Sequence, residues 1–214
     1  MTPQMHGRYP DYDVMDDAGH WDPVTREVIE RRERERPKIR FFTGTEARCL
    51  GRFLDAVLAQ DAEPRIPVLG IVDAKLHAGR LDGYRFADMP QDTETWRVVA
   101  AGLDHSARGR GAPDLAGAGD ELVRELIEDL SRGRLDGGPW ERVNVSRAWS
   151  VVMRGALAAF YSHPWAWNEI GFGGPAYPRG YLRRRMGPAG RDPDEAPEAF
   201  AVDPVSDIAA RGGE

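Results

Sequence analysis

The chain has 214 residues, of which 41% are hydrophobic, and its 35 acidic and 29 basic side chains give a formal charge of -6. This length is enough for one domain with a sizeable core, and the acidic balance lacks the basic footprint of a nucleic-acid-binding protein. No apolar run is long enough to span a bilayer, so we expect no direct membrane insertion.

A polar arm at residues 1–21 is the first predicted element, either frayed or strapped along the surface by its aromatic rings. It contains no apolar signal-peptide segment, so we expect a cytoplasmic protein. Asp22 and Pro23 then suit the N-cap and the first position of a helix, which should run to about Arg36. Few apolar positions and alternating charges place this helix on the outside.

Five further helices are predicted from apolar residues at helical spacing. They cover about residues 43–60, 67–78, 92–108, 120–131 and 144–163. The last is the longest apolar helix and has small residues that permit close helix contacts, so we expect it to be the central helix. Asp73 and Glu128 are interpreted as ordinary carboxylates on helix surfaces.

The stretch HPWAWNEIGFGGPAYPRGYL at residues 163–182 is dense in aromatic residues, glycines and prolines. No helical or strand period runs through it, which predicts an ordered, irregular loop laid against an apolar surface. Such rings either cover the protein's own core or contact a partner, and both hold if some rings face inward and others outward. The hypothesis of partner binding names seven residues: Trp165, Trp167, Phe172, Tyr177, Tyr181, Arg183 and Arg184.

The C-terminal residues 186–214 are rich in glycine, proline and charged residues. They cannot bury enough apolar surface to offset chain entropy, which predicts a flexible tail. Residues 22–185 then form a single helical domain that includes the aromatic loop. The predicted fold is all-α, with about six helices in an orthogonal or bundle-like domain, long ordered loops and flexible termini.

Motifs of catalysis and cofactor binding are missing from the sequence. No glycine-rich phosphate loop, zinc-binding helix motif or nucleophile elbow occurs, and no two of the five histidines are spaced to chelate a metal from one helix face. Cys49, the single cysteine, lies in a helical pattern typical of a small buried thiol. His163 and Glu169 are the acid–base pair near the aromatic loop, and we interpret His163 as a cap on the end of the preceding helix. We therefore predict no catalytic, cofactor-binding or metal-binding residue.

A recognisable pattern occupies residues 144–182, where a helix ending AAFYSHP is followed by AWNEIGFGGPAYPRGYLR. It strongly resembles the gluconate 2-dehydrogenase subunit 3 family. The resemblance covers about Tyr12 to Arg183. It extends upstream through WDPVTREVIERR, RFFTGTEARCLGRFLDAVL, IPVLGIVDAKLHAGRLDGYRF and ELVRELIEDLSRGRLDGGPW.

The resemblance implies a noncatalytic small subunit that binds and stabilises a large FAD-dependent dehydrogenase of the glucose-methanol-choline type, which oxidises a sugar or sugar acid. FAD is expected in that partner and no cofactor in this chain, and some complexes of the family add a cytochrome c subunit. Members often carry a twin-arginine export signal, which this sequence lacks, so a periplasmic location would depend on the partner's signal. Two alternatives stay open: a small enzyme using His163 and Glu169 in a pocket, and a free-standing helical scaffold without a flavoprotein partner.

Overall fold

A computed structural model describes residues 13–80, 83–175, 186–187 and 190–191. Helices dominate these residues, so the prediction of an all-α fold is confirmed. The helices are α1 (Pro23–Arg34), α2 (Gly44–Val57), α3 (Val68–His77), α4 (Asp92–Gly109), α5 (Asp120–Ser131), α6 (Val145–Phe160) and α7 (Pro164–Ile170). The structure also contains two 3-10 segments, Val14–His20 and Gly138–Arg142. Two short antiparallel strands follow, β1 (Met186–Gly187) and β2 (Gly190–Arg191). Within the described residues, no helix combines the length and the apolar character needed to cross a membrane.

The six predicted helices correspond to α1–α6, with ends shifted by a few residues. α1 begins as predicted, because the Asp22 side chain accepts hydrogen bonds from two backbone N–H groups of the first turn. α2 begins with a capping box, in which the side chains of Thr43 and Glu46 each accept from the other residue's backbone N–H. α7 lies inside the aromatic stretch, so the prediction of an irregular loop is wrong for residues 164–170.

The chain divides into two compact units, a smaller one of residues 1–35 and 161–214 and a larger one of residues 36–160. Much of the predicted arm and tail lies outside the described residues. The predicted division into arm, single helical domain and tail therefore stays a prediction.

In the larger unit, α4 lies at the centre and packs against α2, α5, α6 and the second 3-10 segment. The sequence had placed α6 there instead. α4 also contains a close approach to the second 3-10 segment: a Cβ atom at Gly102 would lie 2.4 Å from Cε2 of Trp140. Glycine thus lets the buried indole of Trp140 reach the helix backbone, and its Nε1 donates to Ser106 Oγ at 3.0 Å.

Asp73 of α3 is fully buried, so its interpretation as a surface carboxylate is wrong. Its Oδ1 accepts a hydrogen bond from the backbone N–H of Arg40 at 2.8 Å. Its Oδ2 accepts from the backbone N–H groups of Phe41 and Phe42, both at 2.9 Å. Three donors compensate the carboxylate for its lost hydration. This one side chain therefore fixes the segment before α2 against α3.

The smaller unit contains the first 3-10 segment, α1 and α7, and α7 contacts both of the others. Asn168 of α7 is buried; its Oδ1 accepts from the backbone N–H of Val14 at 2.7 Å, and its Nδ2 donates to Asp13 Oδ1 at 3.1 Å. Residues 13–21 of the predicted arm are thus held against α7 by hydrogen bonds and packing. Four large side chains form the core of this unit: Val14, Trp21, Ile29 and Trp167.

We expect replacement of Asp73 by alanine to lower the free energy of unfolding by about 3–5 kcal/mol, because three buried N–H groups lose their acceptor. Glu128 is the matched control, since it is an exposed helical carboxylate paired with Arg132 one turn away. Its replacement by alanine should cost less than about 1 kcal/mol. Chemical denaturation of both variants measures the difference, and equal effects would contradict the structural role of Asp73.

Candidate partner-binding surface

α7 forms within the aromatic stretch because both of its ends are capped. The backbone N–H of Trp165 donates to Nδ1 of the N-cap residue His163 at 3.2 Å, and Pro164 occupies the first position, where no N–H is needed. Gly171 ends the helix in the left-handed conformation, with φ at 67°. The helix has only seven residues, too few to show a helical period in the sequence.

His163 serves the start of α7 and not the end of α6, so its interpretation as a cap on the preceding helix is wrong. α6 already ends at Phe160, and the Nδ1 atom of His163 is an acceptor. The imidazole is fully buried and packs edge-on against Trp165, with 4.8 Å between ring centroids. Glu169, its predicted acid–base partner, is half-buried on α7. An imidazole enclosed in this way favours a structural role over a catalytic one.

The structure describes three of the seven residues predicted to bind a partner: Trp165, Trp167 and Phe172. The remaining four lie outside the described residues: Tyr177, Tyr181, Arg183 and Arg184. The three described rings differ in exposure. Trp167 is 7% exposed and faces inward, Trp165 is half-buried, and Phe172 is 45% exposed. Their part in binding a partner stays a prediction, but only the exposed rings offer a surface for direct contact.

Trp167 is the internal support of this region. Its indole packs with Val14, Trp21 and Ile29 in the core of the smaller unit. Its Nε1 donates to the carbonyl oxygen of Tyr161 at 2.6 Å. Since both the ring and its polar atom are engaged, the position of the indole is well determined.

Three exposed apolar residues lie close to Trp167 along the chain. The ring of Phe172 packs edge-on against the indole with 5.4 Å between centroids, and the Phe172 N–H donates to the Trp167 carbonyl at 2.9 Å. Tyr161, whose carbonyl receives the indole N–H, is 45% exposed, and Ile170, one turn beyond Trp167 on α7, is 51% exposed. Tyr161, Ile170 and Phe172 are termed the apolar surface of α7 below. Grouped exposed apolar side chains are typical of interaction sites, whereas single ones are common on any surface. The structure shows the ring of Phe172 in contact with Trp167.

Sequence reasoning missed Tyr161 and Ile170 as candidate residues. Tyr161 precedes the aromatic stretch, and Ile170 lies inside it but is not aromatic. The spacing of Ile170 three residues after Trp167 makes them neighbours on a helix, but it does not indicate that Ile170 is exposed while Trp167 is buried.

A cavity of about 410 Å³ in the larger unit has a polar lining that includes Glu46, Asp104, His105 and Arg108. Asp104 Oδ1 accepts the backbone N–H of Leu115 at 3.0 Å, and Asp104 Oδ2 lies 3.6 Å from an Arg108 nitrogen. Glu46 belongs to the capping box of α2. The carboxylates of Asp104 and Glu46 therefore already accept hydrogen bonds from backbone N–H groups of a loop and of a helix start.

A second cavity in the larger unit, of about 680 Å³, is lined by paired charges. Arg65 forms ion pairs with Asp55 and Glu63, and Arg52 forms one with Asp120. Burial raises the pKa of Asp55, although the neighbouring Arg65 opposes the shift. Charges that neutralise one another in this way favour a structural network over a site for a charged ligand.

Cys49 is buried on α2, and its Sγ donates to the carbonyl oxygen of Ala100 at 3.3 Å. Burial raises the pKa of the thiol well above its usual range, and the neighbouring carboxylate of Asp104 raises it further. The prediction of a small buried thiol is confirmed. Among the described residues, no three side chains of His, Cys, Asp or Glu gather in a way that would hold a metal ion.

We expect replacement of Trp167 by alanine to lower the free energy of unfolding of the smaller unit by about 3–5 kcal/mol, because a buried indole is removed. Replacement of Phe172 should cost about 1 kcal/mol, since its ring is half-exposed and mainly loses one aromatic contact. Hydrogen exchange of the α7 amides, measured against denaturant, reports both values for this unit. If the two substitutions destabilise α7 equally, the inward and outward assignments are wrong.

Cys49 should stay unmodified by a disulfide reagent in the native chain at mildly alkaline pH, because the thiol is buried and protonated. On unfolding it should react at once. The pKa of the thiol is raised in the folded state, so the unfolded thiol ionises at a lower pH than the folded one. As the pH rises above the pKa of the unfolded thiol, its ionisation stabilises the unfolded chain and the free energy of unfolding falls. The labelling rate with and without denaturant measures accessibility; rapid labelling of the native chain would contradict its burial.

Comparison with known proteins identifies the family of the chain. The family model described as "Gluconate 2-dehydrogenase subunit 3" matches residues 44–174, a shorter span than the resemblance predicted from Tyr12 to Arg183. A 37-residue segment is 38% identical to an uncharacterized protein of Homo sapiens and covers 17% of this chain and 37% of that protein. No solved structure matches. The family match covers more than half of the chain and includes the apolar surface of α7, so this protein belongs to the gluconate 2-dehydrogenase subunit 3 family, which by its description supplies a subunit of a dehydrogenase.

Proposed function

We propose that this chain is a noncatalytic small subunit that binds and stabilises a large FAD-dependent dehydrogenase acting on a sugar or sugar acid. The observation that carries the proposal is the family match over residues 44–174, since the family is described as a subunit and not as a whole enzyme. In this proposal the large subunit holds FAD. A cytochrome c subunit accepts the electrons in complexes that contain one.

The placement of reactive side chains supports a noncatalytic role. His163 caps α7, Asp73 holds the segment before α2, and Cys49 is buried with a raised pKa. All three side chains are shielded from solvent, from which a substrate would have to arrive. This favours a binding subunit over the alternative of a small enzyme that uses His163 and Glu169.

The apolar surface of α7 supports the presence of a partner. Its three side chains remain 45–51% exposed although the ring beside them is buried. A free-standing scaffold would keep these side chains in water, whereas a subunit covers them in its complex. The surface therefore favours the complex over the scaffold alternative.

Purification of the tagged full chain from its native host tests the proposal. We expect a larger protein to copurify, to show flavin absorbance and to oxidise gluconate or a related sugar with an artificial electron acceptor. The chain alone should show neither flavin nor turnover, and removing it should lower the melting temperature of the flavoprotein, because binding stabilises the folded partner.

An unrelated chain with the same tag is the control for adventitious capture. Turnover by the isolated chain would contradict the noncatalytic role. A native complex without flavin would contradict the assignment of the partner.

A further inference from the structure

We infer that Lys38, Arg40 and Arg97 form a basic docking site for an acidic patch on the large FAD-dependent subunit. These three residues, termed the basic surface below, all lie in the larger unit. The inference rests on the proposed function and adds the residues of this chain that meet the partner and the charge of the opposing surface.

The backbone that carries Lys38 and Arg40 is held against α3. The buried carboxylate of Asp73 accepts hydrogen bonds from the backbone N–H of Arg40 and from those of the next two residues. On the other side of Lys38, a Cβ atom at Gly70 of α3 would lie 2.7 Å from the Pro37 carbonyl oxygen, so the chain passes close to the helix there. Lys38 and Arg40 are both exposed on this fixed segment.

Arg97 of α4 brings a third positive charge to the same segment. Its guanidinium carbon lies 4.5 Å from the centroid of the Phe41 ring, and its Nη2 donates to the Phe41 carbonyl oxygen at 3.1 Å. The Phe41 ring packs edge-on against the buried ring of Phe42, with 5.0 Å between centroids. Arg97 is exposed, yet these contacts hold its guanidinium beside the residue that follows Arg40. An ordered guanidinium loses less conformational entropy when a partner binds it.

The positive charge of the basic surface is not neutralised by a neighbouring ion pair. None of its three cations pairs with a carboxylate in the part of the chain that the structure describes. Glu94, one turn before Arg97 on α4, pairs instead with Arg142. The carboxylate of Asp73 is buried and already accepts three N–H groups. A guanidinium with unused N–H groups is suited to a carboxylate supplied by a partner.

An acidic protein patch fits this surface better than an extended polyanion. Nucleic acids and anionic membranes present dense negative charge over a long surface, so a protein that binds them needs a broad basic footprint. Three cations on a chain with a formal charge of -6 do not provide such a footprint. An acidic patch on a protein is small enough to face these three cations alone. Because the family is described as a subunit of a dehydrogenase, the patch belongs to the large subunit.

Binding kinetics of two variants test the inference. The probe is the FAD-containing dehydrogenase that copurifies with the full chain, separated from it with its flavin retained. A double variant, Lys38→Glu with Arg40→Glu, should slow association about tenfold at low ionic strength. At about 0.5 M salt the effect should fall below about threefold, because salt screens exposed charges. Arg97→Ala should raise the dissociation rate about tenfold, because an ordered arginine contact is lost.

Arg124→Glu is the matched control for the change of charge. Arg124 is exposed on α5 of the same unit and forms no ion pair among the described residues. This variant should bind within about twofold of the parent chain. The side chains of Lys38 and Arg40 make no hydrogen bond to the described residues, so the double variant should keep the melting temperature of the parent. Thermal unfolding of each variant checks that the larger unit remains folded.

The outcomes separate the docking inference from the proposed function. If the parent chain binds the flavoprotein and both test variants bind as well as Arg124→Glu, the inference is wrong and the proposed function stands. If the parent chain binds no flavoprotein, both are wrong. If the isolated chain is a dimer that the double variant dissociates, while affinity for the flavoprotein is unchanged, the basic surface joins two copies and the inference is overturned.

Discussion

The burial of the Trp167 indole is the interaction on which the smaller unit and its candidate surface both depend. Three core side chains, Val14, Trp21 and Ile29, enclose it, and the Tyr161 carbonyl accepts its N–H. The exposed ring of Phe172 packs edge-on against it, with 5.4 Å between ring centroids. The core of this unit and the position of Phe172 therefore both require the same ring in the same place.

Much of the fold could be predicted from the sequence because apolar spacing and helix caps are local signals. The start of α1 at Asp22 and of α2 at Thr43 follows from side chains that accept N–H groups of the first turn. α7 carries the same kind of signal in Pro164 and Gly171, but it has less than two full turns. Its apolar spacing cannot be distinguished from the surrounding dense aromatics, so the helix was missed.

The candidate site could be predicted only as a stretch, because exposure depends on partners that are distant in the chain. Trp167 and Phe172 are both large rings in one segment, yet Trp167 is buried in one cluster with Val14 and Ile29, more than 130 residues earlier, whereas Phe172 is 45% exposed. The burial of Asp73 also could not be predicted from the residues beside it in the chain. Its three donors are backbone N–H groups 31 to 33 residues away, and backbone groups carry no residue-specific signal.

The capped ends of α7 and the burial of Trp167 order the backbone that carries Ile170 and Phe172. Burying a large apolar side chain stabilises by about 1.5–3 kcal/mol relative to leaving it exposed. The exposed side chains of Tyr161, Ile170 and Phe172 would each contribute part of this free energy if a partner covered them. Association also costs the entropy of ordering flexible groups, which reduces affinity. Two capped helix ends and the support of Trp167 lower that cost, because the backbone is already ordered. A bound subunit stabilises its partner by a free energy that grows with the logarithm of the ratio of its concentration to Kd, so an ordered surface that lowers the cost of association raises this stabilisation.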